Sequence, residues 1–128
     1  MKNTFSLVLL LSFISCYKTE QNCKNFKTGK FKFDYEVNGV KKVAFFERND
    51  SLEIETFEGK TDTSSIRWIN NCECVLRKKY PKNNQEKNAI SLKILTTSKD
   101  SYTFEFGMVG VDFKQRGTAT KIGEISSK

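Results

Sequence analysis

The amino-acid sequence predicts an all-β fold, an antiparallel meander of about eight strands that forms a small barrel or strongly curled sheet. Three observations carry this expectation. Apolar and charged residues alternate at period two, most cleanly where Phe31, Phe33, Tyr35 and Val37 interleave with Lys30, Lys32, Asp34 and Glu36. Short runs of this kind are separated by turn-forming clusters, among them Asn38-Gly39, the preferred dipeptide of a two-residue hairpin. No long helical pattern, internal repeat or low-complexity segment is present.

The N-terminus sets an expected address. Met1-Lys2-Asn3 is short and basic, and residues 5–14 (FSLVLLLSFI) are apolar apart from Ser6 and Ser12. A helical run of this length rises about 15 Å, half of a hydrocarbon core, so it reads as a secretory signal rather than a span. The run ends in Phe13-Ile14-Ser15-Cys16, a small residue directly before a cysteine. This resembles a bacterial lipobox, with Phe13 where Leu is usual. The likeness implies a lipoprotein signal peptide over 1–15, and a Cys16 that takes up diacylglycerol through its thiolate. An ordinary signal followed by an incidental cysteine, or a short uncleaved anchor, is the alternative. Residues 16–27 are then the lipidated Cys and its tether, and 28–128 a single β domain. Two or three acyl chains, palmitate among them, anchor permanently where one is marginal. The expected location is the cell envelope, lipid-anchored to a bacterial membrane, with the periplasmic side of the outer membrane favoured.

The strands follow in order. Thr28-Gly29 opens the first. Residues 41–48 return after Asn38-Gly39, with Val43 and Phe45 on one face and Ala44 and Phe46 on the other. Asn49-Asp50-Ser51 turns into residues 52–57, where Leu52 and Ile54 alternate with Glu53 and Glu55. Glu58-Gly59-Lys60 turns again, and residues 61–69 put Ile66 and Trp68 opposite Arg67. Asn70-Asn71 breaks that strand. Residues 72–79 follow with Cys74 and Leu76 inside, and the polar stretch 80–88, which holds the chain's only Pro, has room for a helical turn. Ile90, Leu92 and Ile94 mark the sixth strand, Tyr102, Phe104 and Phe106 the seventh, and residues 116–122 the last. The outline is lipocalin-like. The aromatics expected inside are Phe31, Phe33, Tyr35, Phe45, Trp68, Tyr102, Phe104 and Phe106, with Leu52 and Ile54 among the aliphatics. So bulky a set predicts a filled core and no deep ligand cavity.

Of four cysteines, lipidation of Cys16 leaves Cys23, Cys72 and Cys74, an odd number for an oxidising compartment. Cys72 and Cys74 share a strand face at about 7 Å, poor geometry for a bridge. Cys23 therefore pairs with Cys72 or with Cys74, and Cys72 is preferred because it adjoins the adaptable Asn70-Asn71 turn. Closing a loop of about 50 residues adds roughly 4 kcal/mol by chain entropy. The remaining thiol is then a small buried hydrophobe. A Cys-x-Cys site for a soft metal such as Cu(I) is a weaker alternative.

Composition limits the chemistry. The 128 residues hold 22 Lys plus Arg, 15 Asp plus Glu and no His, a net charge of +7. Without His there is no Ser-His-Asp, Cys-His or His-based metal arrangement. No nucleotide-binding loop, nucleophile elbow or calcium loop occurs, and neither a cofactor, a metal nor catalysis is expected. Glu53 and Glu55 read as a solvated strand face rather than as paired catalytic carboxylates. Charge is uneven: residues 47–58 are acidic and residues 77–99 strongly basic. A basic face of this kind fits anionic lipid head groups or an envelope protein as partner, and nucleic acid is not expected.

Several segments taken together carry a resemblance: the lipobox, Cys23-Lys24-Asn25-Phe26-Lys27-Thr28-Gly29-Lys30-Phe31, Phe46-Glu47-Arg48-Asn49-Asp50, the stretch TDTSSIRWINNC at 61–72, Lys93-Ile94-Leu95-Thr96-Thr97, and Gly117-Thr118-Ala119-Thr120-Lys121-Ile122. The chain resembles a family of small uncharacterised bacterial envelope lipoproteins, whose members often bear the name DNA topoisomerase IV. A chain of this length holds neither an ATP-binding domain nor a DNA-cleavage domain, so that name implies nothing here. In the family an aromatic residue often stands where this chain has Cys74, which implies that Cys23 pairs with Cys72. The resemblance implies a membrane-anchored lipoprotein with a non-catalytic β domain of binding or structural role. A lipocalin-like carrier of a small apolar ligand is the alternative.

Overall fold

Where the sequence alternates at period two, the chain forms strand. In a computed structural model that describes residues 21–125, the strands are β1 (Gly29–Val37), β2 (Val40–Arg48), β3 (Leu52–Phe57), β4 (Lys60–Asn70), β5 (Glu73–Lys78), β6 (Ile90–Thr97), β7 (Ser101–Met108) and β8 (Gln115–Gly123). Each pairs antiparallel with the next, and β8 pairs back with β1 to close the barrel. The expected choice between barrel and curled sheet resolves to the barrel. The sheet consequently has no open edge to protect.

The turns follow from their residues. Asn38 and Gly39 both take positive φ (51° and 79°), as do Glu58 and Gly59 (48° and 76°), so both two-residue hairpins twist with their strands. At the other end, Asn49 Oδ1 accepts from the amides of Ser51 (2.9 Å) and Leu52 (2.8 Å). Asn70 Oδ1 accepts from the Cys72 amide at 2.9 Å. The polar stretch 80–88 does hold a helical turn, a 3-10 segment at Gln85–Lys87.

Two faces differ from expectation. On β2 it is Ala44, Phe46 and Arg48 that point into the barrel, while Phe45 is 49% exposed. On β3, Glu53 is buried and Ile54 is 38% exposed. The outward placement of Phe45 and of Leu52 and Ile54 has one cause. Arg48 sits directly opposite Glu53 in the β2–β3 register, and the two form an ion pair at 2.9 Å. Burying that pair sets the phase of both strands. Aliphatic burial on the six-residue β3 gave way to it.

One end of the barrel is plugged. Cys23–Phe26 forms a 3-10 helix whose Cys23 and Phe26 are buried. Phe26 packs on Tyr102 with ring centroids 5.2 Å apart, and Phe31 stacks on Phe46 at 4.9 Å. Ile94, Cys74 and Ala119 complete this dense half. The expected disulfide is present between Cys23 and Cys72, with Cα atoms 5.2 Å apart, and fastens the plug to the β4–β5 turn. Gln21 Nε2 donates to Leu95 O (2.9 Å), and the Asn22 amide donates to Thr97 Oγ1 (2.7 Å). The latter part of the 16–27 segment is thus stitched to the body. Cys16 and the signal segment lie outside the described residues.

Candidate functional site

Beyond the plugged half the barrel interior is hollow. A cavity of about 680 Å³ opens past the β5–β6 and β7–β8 connections, through which Glu86, Asn88, Val111 and Phe113 reach its mouth. The expectation of a filled core is corrected here. Three of the expected inward residues, Phe45, Leu52 and Ile54, do not line the cavity, and Glu53 and Glu55 take up room that hydrophobes would have filled. Even the aromatics that do point inward crowd one side. Phe33, Phe104 and Phe106 cluster at 5.5–5.6 Å between centroids. Gly117 makes this possible: a Cβ there would lie 2.5 Å from Phe33 Cε2 and 3.0 Å from Phe104 Cζ.

The cavity has two walls and a floor. The apolar wall comes from β1, β6 and β7, with Phe33, Leu92, Phe104 and Phe106. The opposite wall, from β3, β4 and β5, carries Glu53, Glu55, Asp62, Ser64 and Lys78. Arg48, Phe46 and Tyr102 form the floor.

Arg48 is fully buried. Its Nη1 donates to Phe26 O (2.9 Å), and its Nη2 donates to Glu53 Oε1 (2.9 Å) and to the Tyr102 hydroxyl (3.2 Å). The guanidinium lies 5.1–5.9 Å from the rings of Phe31, Phe46, Trp68 and Tyr102. Burial pulls its pKa down, but the fields of Tyr102 and Glu53 outweigh this and leave it raised. Among the described residues its Nε has no partner, and neither has the buried Trp68 Nε1. Each such donor costs about 1–3 kcal/mol unless something accepts from it.

The polar wall is organised differently. Lys78 bridges Asp62 and Glu86, both at 2.8 Å. Those hydrogen bonds, to Asp62 first, raise the Lys78 pKa, and the bond from Lys78 lowers that of Glu86. Among the described residues Glu55 forms no ion pair or hydrogen bond. Desolvation, then the neighbouring charges of Glu53 and Asp62, push its carboxyl above the usual carboxylate range.

Of the residues singled out from sequence, Cys23 and Cys72 form the bridge at the closed end, away from the cavity, and Cys74 is free and buried. Burial pushes the Cys74 thiol up to about 12, which keeps it a protonated, buried thiol at neutral pH. With Cys72 oxidised, the Cys-x-Cys metal alternative is gone. Sequence reasoning missed Arg48 and the inward carboxylates. The signal available was the Asn49-Asp50-Ser51 turn, which sets Arg48 across from Glu53 as opposite charges. Compared with protein-family models, curated proteins and solved structures, the chain matches none.

Proposed function

We propose that this barrel is a non-catalytic small-molecule-binding domain of the bacterial envelope, held to a membrane through lipidated Cys16. The observation that carries the binding reading is the open cavity of about 680 Å³ with one apolar wall. Its volume falls within the roughly 300–1,000 Å³ typical of ligand sites. A barrel of eight strands has room for one small ligand where side chains do not fill it. The lipid anchor is supported by the Ser15-Cys16 junction after its apolar run.

Titration with an environment-sensitive apolar dye tests the binding reading. Saturable binding at one site is expected, weakened by more than about tenfold in Ser64→Phe, which fills the cavity from the β4 wall. Retention of the wild-type denaturation midpoint by that variant shows that occupancy, and not unfolding, removed the site. Absence of dye binding to the wild-type protein overturns the reading. For the anchor, mass spectrometry of protein from its own host should find Cys16 diacylated and N-terminal. An unmodified Cys16 overturns it.

A further inference from the structure

A small-molecule barrel with this lining does not treat all amphiphiles alike. We infer, resting on the ligand-binding reading above, that the cavity takes an amphiphilic organic cation, an amine on an aliphatic or aromatic body, whose charged head sits on Glu55. The whole chain carries +7, yet the cavity has the opposite sign. Arg48 and Lys78 face Glu53, Glu55, Asp62 and Glu86, so two cations meet four carboxylates and the lining is two charges negative. Both cations are already occupied. Arg48 holds Glu53, and Lys78 is shared between Asp62 and Glu86. Glu55 is the carboxylate that forms no ion pair among the described residues, reached only by the field of Lys78, and it is solvent-exposed in the cavity lining.

The other surfaces specify the rest of the ligand. Opposite the carboxylates stand Phe33, Leu92, Phe104 and Phe106, which accept an apolar body and offer ring faces to a cation. Among the described residues no group of metal-ligating side chains converges, which points to an organic rather than an inorganic cation. A fatty acid entering head-first would set its carboxylate against Glu55. Held tail-first, it would leave Glu55 uncompensated.

Matched probes separate the charge of the head group from the apolar body. Dodecylamine, dodecanol and dodecanoate are titrated below their aggregation limits, by displacement of the same dye. The amine is expected to bind at least about tenfold more tightly than the alcohol, and the acid most weakly. Attraction by the net positive chain would give the reverse order, so the ranking reports the cavity. Glu55→Gln should bring the amine to the level of the alcohol, while Glu55→Asp retains its preference. Equal binding of the three, or an amine preference that survives Glu55→Gln, overturns the cation assignment and leaves the ligand-binding reading intact. Failure of all three to displace a bound dye overturns the cation assignment alone, and absence of dye binding overturns both.

Discussion

At the closed end Phe31 stacks on Phe46 with centroids 4.9 Å apart, and at the open end Phe33 meets Phe104 at 5.5 Å. β1 supplies one phenylalanine to each contact, paired with Phe46 of β2 at the first and with Phe104 of β7 at the second. Only the first end is solid. The difference comes from outside the sheet: the Cys23–Phe26 turn pushes Phe26 into the barrel, and no described segment does this at the mouth. Charges divide in the same way. Arg48 is sealed under four rings, whereas Lys78 bridges its carboxylates at the wet wall. Inward side chains alone therefore do not fill this barrel. A piece of chain laid across one pole does.

The largest expected effect breaks the closed half. Arg48→Met leaves Glu53 as a buried, uncompensated carboxylate and should cost about 4 kcal/mol. Urea denaturation measures this, and adding Glu53→Leu should restore much of the loss. A cost under about 1 kcal/mol would mean that the guanidinium does not organise this end.

A smaller effect sets the two halves directly against each other. Phe31→Ala, in the dense half, should cost about 3 kcal/mol through the void it leaves. Phe106→Ala removes a ring that already borders open space, so no enclosed void forms, and under about 2 kcal/mol is expected. Equal costs in matched denaturation curves would show that the cavity collapses in solution.

The smallest effect belongs to Glu55. Its carboxyl is raised in the folded state by desolvation and by Glu53 and Asp62. A raised acid disfavours folding once ionised, so the penalty is complete above the folded-state pKa and absent below the unfolded one. Glu55→Gln should accordingly stabilise the protein slightly at neutral pH, by under about 0.5 kcal/mol, with the gain vanishing in acid. Thermal melts at two pH values measure it, and a gain that grows on acidification would contradict the assignment.

The sequence made the strands and turns legible because both are local properties. Alternation from Lys30 to Val37 marks one strand, and Asn38-Gly39 ends it wherever the chain goes next. The Cys23–Cys72 pairing was also readable, from the adaptable turn beside Cys72. Which face of a strand looks inward is not a local property. Alternation on β3 offers Leu52 and Ile54 or Glu53 and Glu55, and hydrophobicity chose the first. The register with Arg48 on β2 chose the second. The cavity was less legible still, since it depends on closure and on where rings crowd. Gly117 governs that crowding without contributing a side chain.

The Cys23–Cys72 bridge also decides how the molecule carries mechanical load. Tension arriving from the N-terminal side of Gln21 passes the hydrogen bonds of Gln21 and Asn22 to β6 and then reaches Cys23, where it crosses covalently into the β4–β5 turn. The 3-10 helix and the start of β1 lie inside the cross-linked loop and are shielded from it. β8 ends at the same pole, where Gly123 pairs with Lys30, so a pull between the two ends of the described chain stays local. The rim around Val111 and Phe113, at the far pole, lies outside that line of force. A molecule held by its N-terminus can be tugged without its mouth being deformed.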